Sequence, residues 1–315
     1  MQRSDLCVLA LGGNAIVPDS RAGTIEEQRK LTTATMVQVA EQISKGVRVV
    51  LTHGNGPIIG NIALRSEAMA HEIPPMPLDV CGADSQGGIG YMLQQSLQNE
   101  LQRAGVRRDV VTLITQVEVD PEDNAFSKPT KPIGPFYTLR EAERIAAQKG
   151  WVLRDDAGRG RRRMVASPRP LRIVEIAVIR TLVDDGVVVN CVGGGGVPVV
   201  RRGGAWVGVE AVIDKDHTAA VLAQQLHAAR LILLTGVETV MRGFGTPSEA
   251  PLRSVNAKEI EALLDAGEFP SGSMGPKIRA ALDFLHSGGA EVIISDPLHL
   301  SEALAGNTGT HIAIA

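Results

Sequence analysis

Two lysine-bearing segments of this sequence have the residue types that moving an anion requires. In Asp214-Lys215-Asp216 a lysine between two carboxylates can be oriented and kept protonated for a transferring phosphoryl group; the plainer reading is a solvated surface turn. In Gly272-Ser273-Met274-Gly275-Pro276-Lys277 a glycine-rich turn meets proline at a helix opening, which puts Lys277 in the first turn. A helix N-terminus favours anions, so a cation there weakens the helix unless an anion comes with it. A third lysine, Lys131, shares with Lys128 a proline-stiffened stretch running to Pro135, and is either aimed by that stiffness or part of a charged loop. The Arg159–Arg163 group reads as a solvated surface, and His53 either donates to an oxyanion or caps a strand end.

Lysines that handle an anion need backbone donors beside them, and three stretches can supply these. Val187–Cys191 runs through Val192 into Gly193–Gly196, Leu6–Leu11 runs into Gly12-Gly13-Asn14-Ala15, and Val49–Thr52 runs into His53-Gly54-Asn55-Gly56-Pro57. Each reads as a buried strand ending in a loop without bulky side chains, where main-chain N–H groups can approach an oxyanion closely. One such run could be a flexible turn; three at strand ends make a site. Two familiar phosphate loops are absent. No Gly-Lys pair exists for a Walker A loop, and Pro198 and Val199 block completion of G-x-G-x-x-G around Gly193–Gly196.

The elements that must hold these loops follow an α/β order. Strand Leu6–Leu11 precedes a helix over Thr24–Lys45 opened by a Thr24–Glu27 capping box, then strand Val47–Thr52 and helix Ile58–Met69. After Pro74, Pro75 and Pro77 come a long helix, Ser85–Ala104, and a strand, Asp109–Val119. Asp120–Pro170 is rich in proline, glycine and charge, with one short helix at Leu139–Lys149, and fits a small protruding lid. Helix Leu171–Asp184, strand Val187–Cys191 and a hairpin around Gly203-Gly204 follow. The order then continues through helix His217–Leu226, strand Leu231–Thr235, helices Ala257–Ala266 and Pro276–Ser287, strand Glu291–Ser295, a short helix at Leu298–Ala305 and strand Thr310–Ile314. This predicts one mainly parallel sheet covered on both faces.

Composition narrows the partners. A formal net charge of −3 and 3% aromatic residues offer neither a basic footprint nor stacking platforms for nucleic acid. Cys7, Cys81 and Cys191 are scattered and set in apolar context, which points to buried thiols in a reducing, cytoplasmic compartment and not to disulfides or a zinc site. No apolar run reaches the roughly 18 residues of a membrane span.

The segments GGNA, THGNGP, PLDVCGADSQG with IGYMLQQ, PTKPIGPFY, DDAGRGRRR, VGGGGVPVV, EAVIDKD and GSMGPK occur in the order seen in carbamate kinases of the amino-acid kinase superfamily, and the resemblance covers nearly the whole chain. It implies a three-layer αβα sandwich of about eight strands. It also implies a homodimer, with residues 1–225 as the carbamate-binding and dimerisation lobe, 120–170 as its protruding subdomain and 226–315 as the nucleotide lobe. The implied reaction is ATP + carbamate ⇌ ADP + carbamoyl phosphate with Mg²⁺, often run toward ATP in arginine fermentation. By matching motifs, Lys215 and Lys277 would stabilise the transferring phosphoryl, Asp216 or Asp214 would orient the lysines, and Lys131 would reach the substrate. Gly12, Gly13, Asn14, Gly54, Asn55, Gly56, Gly193, Gly194 and Gly195 would cradle carbamate and phosphoryl. Thr235, Gly236, Met241, Phe244, Met274 and Gly275, with Lys277, would meet the nucleotide, and no residue is assigned to a metal. The chain departs from the family's usual segments at Ile58, Gly236 and Met241. Competing readings are a sister kinase acting on another small carboxylate, and a non-catalytic nucleotide-binding member of the fold.

Overall fold

The computed structural model describes residues 5–16, 23–156, 158–270 and 272–314. Its centre is an eight-stranded sheet in the order Ser254–Asn256, Thr310–Ala313, Glu291–Ser295, Arg230–Leu234, Leu6–Leu11, Arg48–His53, Val188–Asn190, Val110–Thr112. Thr310–Ala313 runs antiparallel to Glu291–Ser295, and the remaining neighbours are parallel. Period-two alternation explains why the first strand is apolar at every position. Leu6, Val8 and Ala10 join one buried cluster while Cys7, Leu9 and Leu11 join another, so both faces of the strand are covered.

The helices supply those covers. Helix α1 (Ile25–Ser44), opened by the expected Thr24–Glu27 capping box, contributes Met36, Val39 and Ile43 to one face. Helix α2 spans Gly56–Ala68, and α3 (Leu78–Arg103) adds Ile89, Leu93, Leu97 and Leu101 beside α1. Helix α4 is Leu139–Lys149 in the subdomain, whereas α5 (Ile176–Asp184) and α6 (Lys215–Gln225) pack on the opposite face. They are joined there by α7 (Ala257–Asp265) and α8 (Met274–His286); the short α9 (Leu300–Leu304) returns to the first face. The result is a three-layer αβα sandwich. Cys7, Cys81 and Cys191 are free and buried in it, and burial pushes the Cys7 thiol up to about 11. Among the described residues no helix is long and apolar enough to cross a membrane.

Three boundaries differ most from the sequence expectation, and at each a side chain takes a backbone group. The run expected as one strand over Asp109–Val119 is two strands in two sheets. Thr115 between them exchanges both backbone hydrogen bonds with the Gln86 side chain, and Gln116–Val119 then pairs with Val197–Arg202 and Pro170–Ile173. The helix expected from Leu171 starts at Ile176, because Pro170–Ile173 is a strand and the Glu175 carboxylate binds the backbone and side chain of Gln116, both at 2.8 Å. The helix expected from Ser85 begins at Leu78, whose N–H is taken by Glu210 at 2.7 Å. Smaller in effect, α8 opens at Met274, two residues before Pro276, which stands where an N–H would find no partner anyway.

The subdomain is a three-stranded antiparallel sheet, Lys131–Tyr137, Arg161–Val165 and Val152–Asp155, with α4 against it. It meets the body backbone to backbone. A Cβ on Gly60 of α2 would land on the N and Cα of Gly134, whose φ of +72° is itself a glycine conformation. Gly60→Ala is therefore expected to cost about 1–3 kcal/mol by overpacking. It should also push the Lys131 strand off α2. A thermal unfolding midpoint and a subdomain cleavage rate both equal to those of the parent chain would show that this close approach carries no constraint.

Candidate active site

Parallel strands bring their carboxyl ends to one side of the sheet. Leu11 is in register with His53 on one side and Leu234 on the other, and Leu234 with Ser295. The chain leaves Leu6–Leu11 toward Arg48–His53 and returns later to Arg230–Leu234 on the other flank. The connections diverge at the end of the first strand, and such switch points are where open α/β sheets hold ligands. The loops that start there are Gly12-Gly13, Gly54-Asn55 and, one strand further, Gly193–Gly195.

Three lysines converge on two aspartates at this edge. Lys215, the first residue of α6, places Nζ 2.5 Å from Asp216 Oδ1, and Lys277 from α8 places Nζ 2.9 Å from Asp216 Oδ2. Lys131, at the start of the subdomain strand, bonds Asp214 Oδ2 at 2.6 Å. Asp214 caps α6 by accepting from the Asp216 N–H at 3.0 Å, so one helix N-terminus organises both pairs. Burial alone would raise the Asp216 carboxyl, but the charges of Lys215 and Lys277 outweigh it and hold the group below the usual carboxylate range. Burial likewise works against ionised Asp214, and Lys131, with the His217 ring 3.6 Å from Asp214 Oδ1, overcomes it. Burial lowers the Lys215 ammonium, with Asp216 opposing. Asp216 is only 3% exposed, so it is a fixed anion that clamps two cations.

The glycines form the wall beside the lysines. A Cβ on Gly54 would strike Lys215 Cδ at 2.9 Å and would lie 3.7 Å from Gly13 N, so Gly54, Gly13 and Lys215 are neighbours. On Gly12 a Cβ would meet Leu234 O at 2.6 Å and Thr235 Cα at 3.4 Å, which joins this loop to the end of the next strand. Cβ atoms on Gly193 and Gly194 would run into the His53 ring and the Asn55 amide, and one on Gly195 into Ile213 O at 2.5 Å. Asn55 is itself tied to α3 through Ser85 Oγ at 2.8 Å. The Gly193–Gly195 loop thus packs on the His53-Gly54-Asn55 loop through the His53 ring and the Asn55 amide, next to three ammonium groups. This arrangement suits transfer of a phosphoryl group between anions, where positive charge and backbone donors must already be in place.

A profile of the amino acid kinase family matches residues 5–296. A carbamate kinase from Pyrococcus horikoshii is 48% identical over 307 residues, covering 97% of this chain and 98% of that protein. The carbamate kinase-like protein YahI of Escherichia coli is 47% identical over 313 residues, 98% of both chains. The chain belongs to the carbamate kinases of the amino acid kinase family. A carbamate kinase from Giardia lamblia bound to AMP-PNP agrees in structure with a TM-score of 0.91 at 44% identity over 99% of each chain. An N-acetylglutamate synthase from Neisseria gonorrhoeae, at 16% identity and a TM-score of 0.60 over 99% of this chain and 60% of that one, shares the fold alone.

As a carbamate kinase family member the chain is an enzyme, a kinase, and its expected site residues fall into two groups in the structure. Lys131, Lys215, Lys277, Asp214, Asp216, Gly12, Gly13, Gly54, Asn55 and Gly193–Gly195 are gathered as described, while the Asn14 side chain lies outside the described residues. Gly56 opens α2 with nothing within 4 Å of its Cβ position. On the other flank Thr235 donates its N–H to Ser295 O at 2.8 Å and Gly236 is exposed beyond it. Met274 and Gly275 open the helix that carries Lys277. Met241 lies on the ribbon made by Val240–Arg242 and Ala250–Leu252, and Phe244, in the turn that follows the first of these strands, is 65% exposed. Among the described residues no group of three His, Cys, Asp or Glu side chains could hold a metal, and both aspartates at the site are already engaged by lysines.

His53 is settled by burial. Its Nδ1–H donates to Gly54 O at 3.1 Å, its Nε2 has no partner among the described residues, and burial first, with the Lys215 charge, lowers its pKa to about 4. It is therefore a neutral ring packed under Gly193. An unfolded histidine titrates near 6.5, so between about 6.5 and 4 the unfolded chain binds the extra proton. The corresponding stability is complete above about pH 6.5 and is lost as pH falls toward 4, by about 3 kcal/mol in total. His53→Gln should flatten the decline of unfolding free energy across this window. An unchanged slope would show that His53 is not the group responsible.

Proposed function

We propose that this chain catalyses ATP + carbamate ⇌ ADP + carbamoyl phosphate. The observation that supports it best is the buried Asp216 holding Lys215 and Lys277 together beside stacked glycine loops. Carbamate's attacking oxygen is already anionic, so no general base is needed; the difficulty is bringing one anion onto a polyanion. In the forward direction that oxygen forms a bond to the γ-phosphorus as the bond to the β,γ-bridging oxygen breaks, and ADP leaves with the electron pair. Lys215 and Lys277 neutralise charge on the equatorial and leaving oxygens, a role that suits a loose transition state. Lys131 comes from the subdomain toward the carbamate. The main chain around Gly12, Gly13, Gly54 and Gly193–Gly195 cradles carbamate and phosphoryl, with the Gly54 and Gly195 N–H groups themselves held by Leu11 O and Val192 O and with Asn14, Asn55 and Gly56 at its margins. Asp214 and Asp216 keep the ammonium groups in place.

In this reading residues 1–225 hold carbamate and residues 226–315 hold the nucleotide, which meets Thr235, Gly236, Met241, Phe244, Met274 and Gly275. Magnesium enters as the nucleotide's counter-ion, part of the substrate. The dimer forms through the first lobe, where Val80 and Tyr91 of α3 are exposed. The setting is cytoplasmic and catabolic, with ATP formed from carbamoyl phosphate in arginine deiminase-type metabolism; the buried thiols are compatible with a reducing compartment.

The test is ATP formation from ADP and carbamoyl phosphate, with acetyl phosphate in parallel. Lys215→Ala and Lys277→Ala should each lower kcat by about 10²–10³, by comparison with loss of one preorganised oxyanion donor. Turnover equal to that of the parent chain in either variant would overturn the assignment, and preference for acetyl phosphate would overturn the substrate.

A further inference from the structure

The glycine loop after Val188–Asn190 is entered through an unusual residue. Val192 has φ +48° and ψ 29°, a left-handed conformation that a β-branched side chain resists. The side chain is fully buried in the core, so packing fixes its position but does not relieve the backbone. Residues held in such regions persist only where their surroundings over-determine them.

Two hydroxyls do so. The Val192 N–H donates to Thr115 Oγ1 at 3.2 Å, and Thr52 Oγ1 donates to Val192 O at 3.2 Å, so both polar groups of the strained peptide are held from opposite sides. Thr115 Oγ1 passes its own proton to Leu113 O at 2.9 Å, which leaves its lone pairs facing Val192. The Thr115 backbone is fixed in turn by Gln86 of α3, which accepts from Thr115 N at 2.8 Å and donates to Thr115 O at 3.1 Å. Thr52, Thr115 and Gln86 are all essentially without solvent exposure, so water cannot substitute for any of these bonds. Immediately beyond the clamp, Gly195 N donates back to Val192 O at 3.0 Å and closes the turn.

We propose that Thr115 and Thr52 are positioning residues for phosphoryl transfer. By fixing Val192 in its left-handed conformation they aim the Gly193–Gly195 main chain at the transferring group. The inference rests on the reading that this loop cradles the substrates. Neither threonine touches substrate; each acts through Val192. Gln86 extends the same constraint to α3, the helix that also holds Asn55 through Ser85, the residue just before it.

The experiment compares Thr115→Val, Thr115→Ser and Thr52→Val in the assay with ADP and carbamoyl phosphate, with unfolding midpoints measured alongside. Thr115→Val keeps the side-chain shape and leaves the Val192 N–H unpaired. It should lower kcat at least tenfold while KM for ADP stays within twofold, and Thr115→Ser, which keeps the hydroxyl, should return kcat to within threefold of the parent chain. Thr52→Val probes the opposite side of the same peptide and should lower kcat in the same sense, which serves where Thr115→Val does not fold. A folded Thr115→Val or Thr52→Val protein with a lowered midpoint and kcat within twofold of the parent would overturn the proposal, since a merely architectural threonine gives that result. Lys215→Ala in the same assay separates the two levels. A parent chain that makes ATP and a Lys215→Ala chain that does not uphold the site reading whatever the threonines do. Turnover unaffected by Lys215→Ala defeats that reading and the positioning role with it.

Discussion

The site depends on one buried carboxylate. Asp216 lies almost out of solvent between the ammonium groups of Lys215 on its own helix and Lys277, 61 residues further along the chain. Alone, a carboxylate so placed would be expensive to ionise, and burial works against the Lys215 ammonium as well. Together they fix one another, and the desolvation that makes each unfavourable is also what makes their field strong at short range. Removal of Asp216 would leave two neighbouring ammonium groups without their shared anion, so the cluster is a single unit. α6 and α8 pack closely against each other, as they must if the side chains at their openings are to meet.

Everything else brings groups to that point. The parallel sheet aligns the strand ends, the glycine loops let backbones approach where Cβ atoms would collide, and the subdomain strand carries Lys131 in from a separate body of chain. The closest fits are of backbone on backbone or of backbone on a ring or amide, contacts that no larger residue could reproduce.

Much of this was legible in the chain because it is local. The glycine runs follow β-favouring stretches directly, and the lysines sit in short segments whose neighbours already restrict them. The αβα order was legible from apolar runs alternating with helical spacing. What could not be read was long-range pairing. A choice between Asp214 and Asp216 as the orienting carboxylate stayed open in the sequence, and in space they divide the work: Asp214 holds Lys131, and Asp216 holds Lys215 and Lys277. Thr115 was hidden inside a run with β character, because a single polar residue there does not reveal that a glutamine from a helix 29 residues earlier has taken its backbone. The same substitution of side-chain partners for ladder partners accounts for the displaced starts of α3 and α5.

The charge count at the centre has a consequence for turnover. Three lysines against two aspartates leave a formal charge of +1 among five groups, not the +3 that the lysines alone would carry. A pocket of +3 would hold any phosphorylated ligand strongly, products as well as substrates, and binding that does not distinguish the transition state from its neighbours adds nothing to the chemical step. With two of its three cationic charges neutralised by fixed anions, this site can present directed positive charge at short range and weak attraction at long range. Such a balance would suit a site that a polyanion has to leave as well as enter.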